Sequence, residues 1–250
     1  MHMLLINPNT TDTITQRMAG MSRDLLGAGA RVTAATGRFG GRYVASRAAY
    51  AIAAHAALDA YAAHGATADV VVLACFGDPG LMALKEMASQ PVVGMAEASC
   101  LAASALGSRF AIVTGGERWG PMLQEFVCGL GLESRLAGTV TVAPTGGEIA
   151  ADPDRALGLL TEACIACVER HRADSVILAG AGLAGLAERI ADRVPVPLID
   201  SLVAAVRMAE GIARIASRKA HVGSFALTPA VETVGLSPEL ARYFSGPPRA

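Results

Sequence analysis

Aromatic side chains are scarce in this sequence: they make up 4% of 250 residues, with a single tryptophan, while hydrophobic residues reach 52%. Any core must therefore be packed tightly from alanine, valine and leucine. Neither sign of charge dominates, the formal net charge being −1. Without a basic block there is no face for phosphates, which excludes nucleic acid as a partner. Long apolar runs are missing too. The start, Met1-His2-Met3-Leu4-Leu5-Ile6-Asn7-Pro8, is too short and too soon broken by polar residues to be a signal peptide or a membrane span, so a cytoplasmic protein without a membrane partner is expected. The five cysteines, Cys75, Cys100, Cys128, Cys164 and Cys167, are odd in number and irregular in spacing, unlike a secreted disulfide scaffold. Cys164 and Cys167 have CxxC spacing inside an alanine-rich helical pattern with no second ligand pair, and Cys100 and Cys128 also fall in helical patterns; all four read as buried helix residues. No His/Asp/Glu cluster suggests a metal. The phosphate loop GxxxxGK[ST] is absent, and no GxGxxG precedes a suitably spaced acid, so no nucleotide cofactor is expected.

What is present is alternation. Short apolar runs at 3–6, 31–35, 69–74, 92–95, 109–114, 139–143, 175–179 and 196–199 are separated by longer helical patterns, the βαβ signature of a parallel sheet. After the first run, Thr10 or Thr11 can cap a helix whose apolar stripe is Ile14, Met18, Met21 and Leu25. Residues 46–64 are nearly continuous alanine, with Ile52 and Leu58, suited to close approach to a sheet. Beyond Arg218, periodicity gives way to prolines, and a surface-wrapping tail that frays at its end is expected.

An internal repeat sets the architecture. The segment Asp69 to Leu81, containing Ala74-Cys75-Phe76-Gly77-Asp78-Pro79-Gly80, aligns with Asp174 to Leu186, containing Ala179-Gly180-Ala181-Gly182. Cys75 then falls on Gly180, a constant offset of 105 residues (180 − 75). Each copy leads through a helix to a Pro-Val strand, at Pro91 and Pro195. This predicts an α/β fold of two pseudosymmetric parallel-sheet halves with a ligand cleft between them. One half would comprise 1–96 with 203–250, the other 97–202.

Four strand-end loops should meet at that cleft: Asn7-Pro8-Asn9-Thr10, Cys75-Phe76-Gly77, Thr114-Gly115-Gly116 and Gly180-Ala181-Gly182. Cys75 is the candidate catalytic residue, its thiolate expected to be favoured by a nearby helix N-terminus. Asn7, Asn9, Thr10, Phe76, Gly77, Thr114, Gly115, Gly180 and Ala181 are the candidate substrate-binding residues. Turn chemistry alone would also account for Asn9 and Thr10, and a helix cap for Thr114. Asp78 reads as a local cap or pair, while Glu97 and Asp200 follow equivalent strands and are candidates to face the cleft.

At these residues the chain resembles the aspartate/glutamate/hydantoin racemase superfamily, in particular its hydantoin and allantoin racemase branch. The resemblance runs through Leu5-Ile6-Asn7-Pro8-Asn9-Thr10, the Cys75 loop with Pro91–Ala98, the stretch from Thr114 to Trp119, and Ala179 to Gly185. It implies an enzyme without a cofactor, acting on a small molecule, with two opposed cysteines that remove and return a proton beside a carbonyl. Cys75 fills the first cysteine position and Gly180 the second, which departs from the pattern. The expected activity is a racemase-like isomerisation of a small amino-acid derivative or hydantoin. Alternatives are a single-cysteine decarboxylase of a malonate-type acid, as occurs in the same superfamily, and a non-catalytic binding protein. Assembly into a homo-oligomer is left open.

Overall fold

The computed structural model describes residues 1–215, 219–220, 222–226 and 229–245. The first half runs β1 (His2–Asn7), α1 (Asp12–Leu26), β2 (Arg31–Thr36), α2 (Arg47–His64), β3 (Val70–Leu73), α3 (Leu81–Met87) and β4 (Val92–Gly94). Helix α4 (Met95–Leu106) leads to the second half: β5 (Phe110–Gly115), α5 (Trp119–Gly129), β6 (Leu136–Val142), α6 (Gly146–Ala151), α7 (Pro153–His171), β7 (Ser175–Ala179), α8 (Leu186–Ile190) and β8 (Leu198–Asp200). Helices α9 (Ser201–Ile215) and α10 (Pro238–Phe244) follow. All eight expected strands are present. They form two parallel four-stranded sheets of identical topology, β2-β1-β3-β4 and β6-β5-β7-β8.

Alternation along each strand explains how the halves are joined. Met3 and Leu5 of β1, Val70 and Val72 of β3, Phe110 and Ile112 of β5, and Ile177 of β7 belong to one continuous core with α4 and α9. The intervening residues face outward: Leu4, Ile6, Val71 and Leu73 meet α2, α3 and α10, while Ala111, Val113, Val176 and Leu178 meet α7 and α8. Helices α4 and α9 thus lie between the sheets, each packed against strands of both. Both faces of every central strand are covered, which is why these strands read as unbroken apolar runs.

The alanine-rich α2 begins where the Ser46 hydroxyl accepts from Ala49 N–H. It buries Ala53, Ala56, Ala57 and Ala60, while Ile52 is turned out to solvent. A Cβ at Gly80 would lie 3.1 Å from Ala54 Cα, so the loop before α3 sits on the helix backbone itself.

Three expectations are corrected. Thr11 occupies the cap position of α1, yet its hydroxyl donates to Arg42 C=O and makes no cap bond. Cys128 is exposed, not core, because it lies on the outer face of α5. The tail is not merely a surface wrap: Ser237 and Pro238 start α10, whose Leu240 is fully buried against the first half. The expected fraying concerns residues 246–250, outside the described residues. Among the described residues, no helix is long and apolar enough to cross a membrane.

Candidate active site

In each sheet the chain order reverses between β1 and β3, or between β5 and β7. Loops leaving the carboxyl ends of such neighbouring strands run in opposite directions and open a crevice. Here the two crevices share one cavity of about 50 Å³. That is room for roughly three or four water molecules before any loop moves. It is lined by Asn9 after β1, Cys75 and Phe76 after β3, Thr114 and Gly115 of β5, and Gly180 and Ala181 after β7. Seven of the ten residues proposed from sequence therefore converge.

The other three stand behind the wall. Asn7 is fully buried and its amide is spent on its own loop and α1: Nδ2 donates to Asn9 Oδ1 and Thr15 Oγ1, both at 2.9 Å. Asn9 Oδ1 also accepts from Thr11 N–H at 2.9 Å, which leaves Asn9 Nδ2 without a protein acceptor among the described residues. Thr10 is tied to the next loop by its N–H to Gly41 C=O and does not line the cavity. Gly77 sits at φ 96°, and a Cβ there would lie 2.8 Å from the Trp119 ring. Its requirement is close packing rather than ligand contact.

The repeat is visible in the loops themselves. Asp78 N–H donates to Cys75 C=O at 2.9 Å, and Leu183 N–H donates to Gly180 C=O at 2.9 Å, the same turn in each half. In the second half Gly180 N–H is held by Ser201 Oγ, and Thr114 Oγ1 donates to Ala179 C=O at 2.9 Å. Gly180 has φ 123°, a region L residues rarely adopt. A Cβ there would nonetheless find space, its nearest neighbours being Leu183 Cδ1 and Thr114 Oγ1 at 3.8 Å.

Cys75 differs from its expectation. The thiol is 7% exposed, and burial, then the Asp78 charge, push it up to about 12. The expected helix effect loses because α3 is only seven residues long and starts at Leu81, with Asp78 interposed. Asp78 itself caps α4, its carboxyl oxygens accepting from Ala96 N–H at 2.9 Å and Glu97 N–H at 2.8 Å. Glu97 and Asp200 do not reach the cavity. Glu97 pairs with Lys85 at 2.5 Å, and Asp200 accepts from Gly185 N–H at 2.6 Å and from Leu202 N–H at 2.9 Å.

Sequence reasoning did not place Ile14, Tyr43, Val44, Gly146 or Gly147 in the lining, while Leu183 and Trp119 were reached only as members of stretches that carry the family resemblance. Tyr43 accepts from Trp119 Nε1 at 3.0 Å and donates to Gly115 C=O at 2.9 Å, joining the β2–α2 connection to both ends of the β5–α5 turn. Burial raises the Tyr43 phenol, which stays neutral. The lone tryptophan, following a Thr-Gly-Gly strand end, was the available signal.

Compared with known proteins, residues 3–209 match the family described as Asp/Glu/Hydantoin racemase. The chain belongs to this family. Among its relatives, this racemase-family chain is 32% identical over 229 residues to the hydantoin racemase of Paenarthrobacter aurescens, covering 90% of the present chain and 96% of that protein. It is 34% identical over 167 residues to the hydantoin racemase of Pseudomonas sp. (strain NS671), covering 67% of each. Among solved structures, the allantoin racemase of Pseudomonas fluorescens superposes with a TM-score of 0.90 at 28% identity, covering 94% of this chain and all of that one. An arylmalonate decarboxylase variant shares the fold, with a TM-score of 0.63 at 18% identity over 85% of this chain and 92% of that one. The racemase-family chain is thus an enzyme of racemase type.

Proposed function

We propose that the protein moves a proton at the carbon beside a carbonyl of a small amino-acid derivative or hydantoin, without a cofactor, and that Cys75 is the group that carries the proton. One observation carries this reading: a single thiol stands at the strand-end cavity, and none of the lining residues bears a charge. Seating a carboxylate there without a partner is costly, so an uncharged ring amide is the better fit. Hydantoin and allantoin racemase are the names its relatives bear. As a proton leaves the substrate carbon, negative charge grows on the carbonyl oxygen and must be met by donors already in place. Those available are Asn9 Nδ2 and the N–H groups of Phe76 and Ala181, which have no protein acceptor among the described residues.

The direction of transfer matters. Ionising a thiol held at about 12 costs on the order of 7 kcal/mol at neutral pH, at about 1.4 kcal/mol per tenfold. The thiolate is therefore scarce, but once formed it is a strong base matched to a weak carbon acid. Donating a proton from the resting thiol meets no such barrier. This favours a second reading as well, a decarboxylase in which Cys75 protonates the carbanion left when carbon dioxide departs. Single enantiomers of a 5-substituted hydantoin and a prochiral malonate-type acid separate the two. Deuterium uptake at the α-carbon of the first, without gas release from the second, supports the isomerase. Carbon dioxide release alone supports the decarboxylase, and the absence of both would refute the proposal.

A further inference from the structure

The two halves cap their inter-sheet helices in different ways. In the second half, Asp200 at the end of β8 accepts from Leu202 N–H and Val203 N–H of the helix it precedes. The matching position after β4 is glycine, and the cap on α4 comes instead from Asp78, in the Cys75 loop. Gly94 is what lets it in: a Cβ there would lie 2.5 Å from Asp78 Cγ. Asp78 adopts φ 53°, the left-handed region, with its carboxyl 1% exposed. Backbone strain in a non-glycine residue of this kind persists only where its surroundings hold it. Here they do: Tyr50 Oη donates to Gly77 C=O at 2.7 Å and to Asp78 C=O at 3.2 Å. The counterpart of Asp78 across the repeat is Leu183, so the carboxyl stands beside Cys75 and has no equivalent beside Gly180.

The geometry points to Asp78 as a positioning residue that fastens the Cys75 loop to α4 and whose ionisation is coupled to that of the Cys75 sulfur. Both carboxyl oxygens accept N–H bonds, so the ionised form is the one the site is shaped for. Burial works against that form and carries the group up to about 8. The groups facing it are Cys75 in its own loop, Tyr50 on α2, Lys85 on α3, and Glu97 and Cys100 on α4. Only Lys85 is cationic, and it is engaged by Glu97. As Asp78 ionises, the neighbouring thiol becomes harder to ionise, and the two titrations couple.

This inference rests on Cys75 being the proton carrier, but its test reads the sulfur directly and needs no turnover. With Cys128→Ser removing the exposed thiol, alkylation of Cys75 by iodoacetamide is followed by mass spectrometry between about pH 6 and pH 10. The logarithm of the rate should rise with unit slope, flatten near pH 8 as Asp78 ionises, and then rise again. In Asp78→Asn the flattening should vanish, leaving one straight line. Loosening the loop would raise the whole line without removing the bend, so mere structural damage is distinguishable. Asp78→Ser, which keeps one cap acceptor, serves if Asp78→Asn does not fold. A bend that survives in the variants, or its absence from the parent, overturns the inference. Should Cys75→Ala retain turnover while the bend is seen, the proposed function fails and the coupling stands.

Discussion

Placing a side chain at Gly180 separates two demands that the structure makes there. The space is adequate, since a Cβ would meet nothing closer than 3.8 Å, but the backbone at φ 123° disfavours any L residue. Such strain costs about 1–3 kcal/mol. For a chain of this size each kcal/mol lowers Tm by about 2–4 °C, so Gly180→Ala should melt roughly 2–12 °C below the parent. Gly180→Cys should melt with it, because the penalty belongs to the backbone and not to the sulfur. Their chemistry should then part. If the repeat places residue 180 across the cavity from Cys75, the cysteine variant supplies an acid on the second face and should raise the rate of inversion of a hydantoin enantiomer, whereas the alanine variant should not. Calorimetry and polarimetry on the two variants provide the comparison. A Gly180→Ala variant as stable as the parent would refute the strain argument. Equal inversion by both variants would refute the placement.

Three further outcomes follow from the site. Cys75→Ser and Cys75→Ala should each abolish turnover with Tm changed by only a few degrees, since a hydroxyl is far too weakly acidic to replace the thiol; retained activity would sink the assignment. Asn9→Ala should raise KM by roughly three- to tenfold, the worth of one hydrogen bond, and Asn7→Ala should do similar harm by releasing Asn9; unchanged kinetics in both would show that the loop does not hold substrate. Burial raises Asp78 to about 8 in the folded protein, against an unfolded value near 4. Folding therefore takes up a proton, so this contribution to stability is complete below about pH 4 and is lost as pH rises through about 8. Asp200, also raised by burial, acts in the same sense. Thermal melts at pH 5 and pH 9 should show the parent losing more stability than Asp78→Asn, and an equal loss would contradict the burial argument.

The duplicated architecture was legible because the repeat lies in strands buried on both faces, where apolar identity is nearly forced and loop glycines fall at fixed positions. The strand-end rule then brought Asn9, Cys75, Thr114 and Gly180 together without knowledge of any contact. Walls supplied by irregular connections were not legible. Tyr43 and Val44 between β2 and α2, and Gly146 and Gly147 at the start of α6, have no periodic pattern and reach the cavity only through packing. Nor could sequence say which asparagine of Asn7-Pro8-Asn9 would be consumed internally. The state of Cys75 is likewise a tertiary property: local reasoning saw a helix start, while burial decided the outcome. The last helix was within reach, since Ser237-Pro238-Glu239-Leu240 is a capped start with proline in the first turn, hidden among prolines that read as a tail.

The central claim is that one thiol, Cys75, serves one face of the substrate with no partner thiol opposite. Incubating single hydantoin enantiomers with the unaltered protein in deuterium oxide, and following deuterium uptake and optical rotation together, tests it most directly. Exchange should outpace inversion, because proton removal and return on the same face retain configuration, and both should disappear in Cys75→Ala. Inversion that keeps step with exchange from the first turnovers, or exchange that persists without Cys75, would contradict the account.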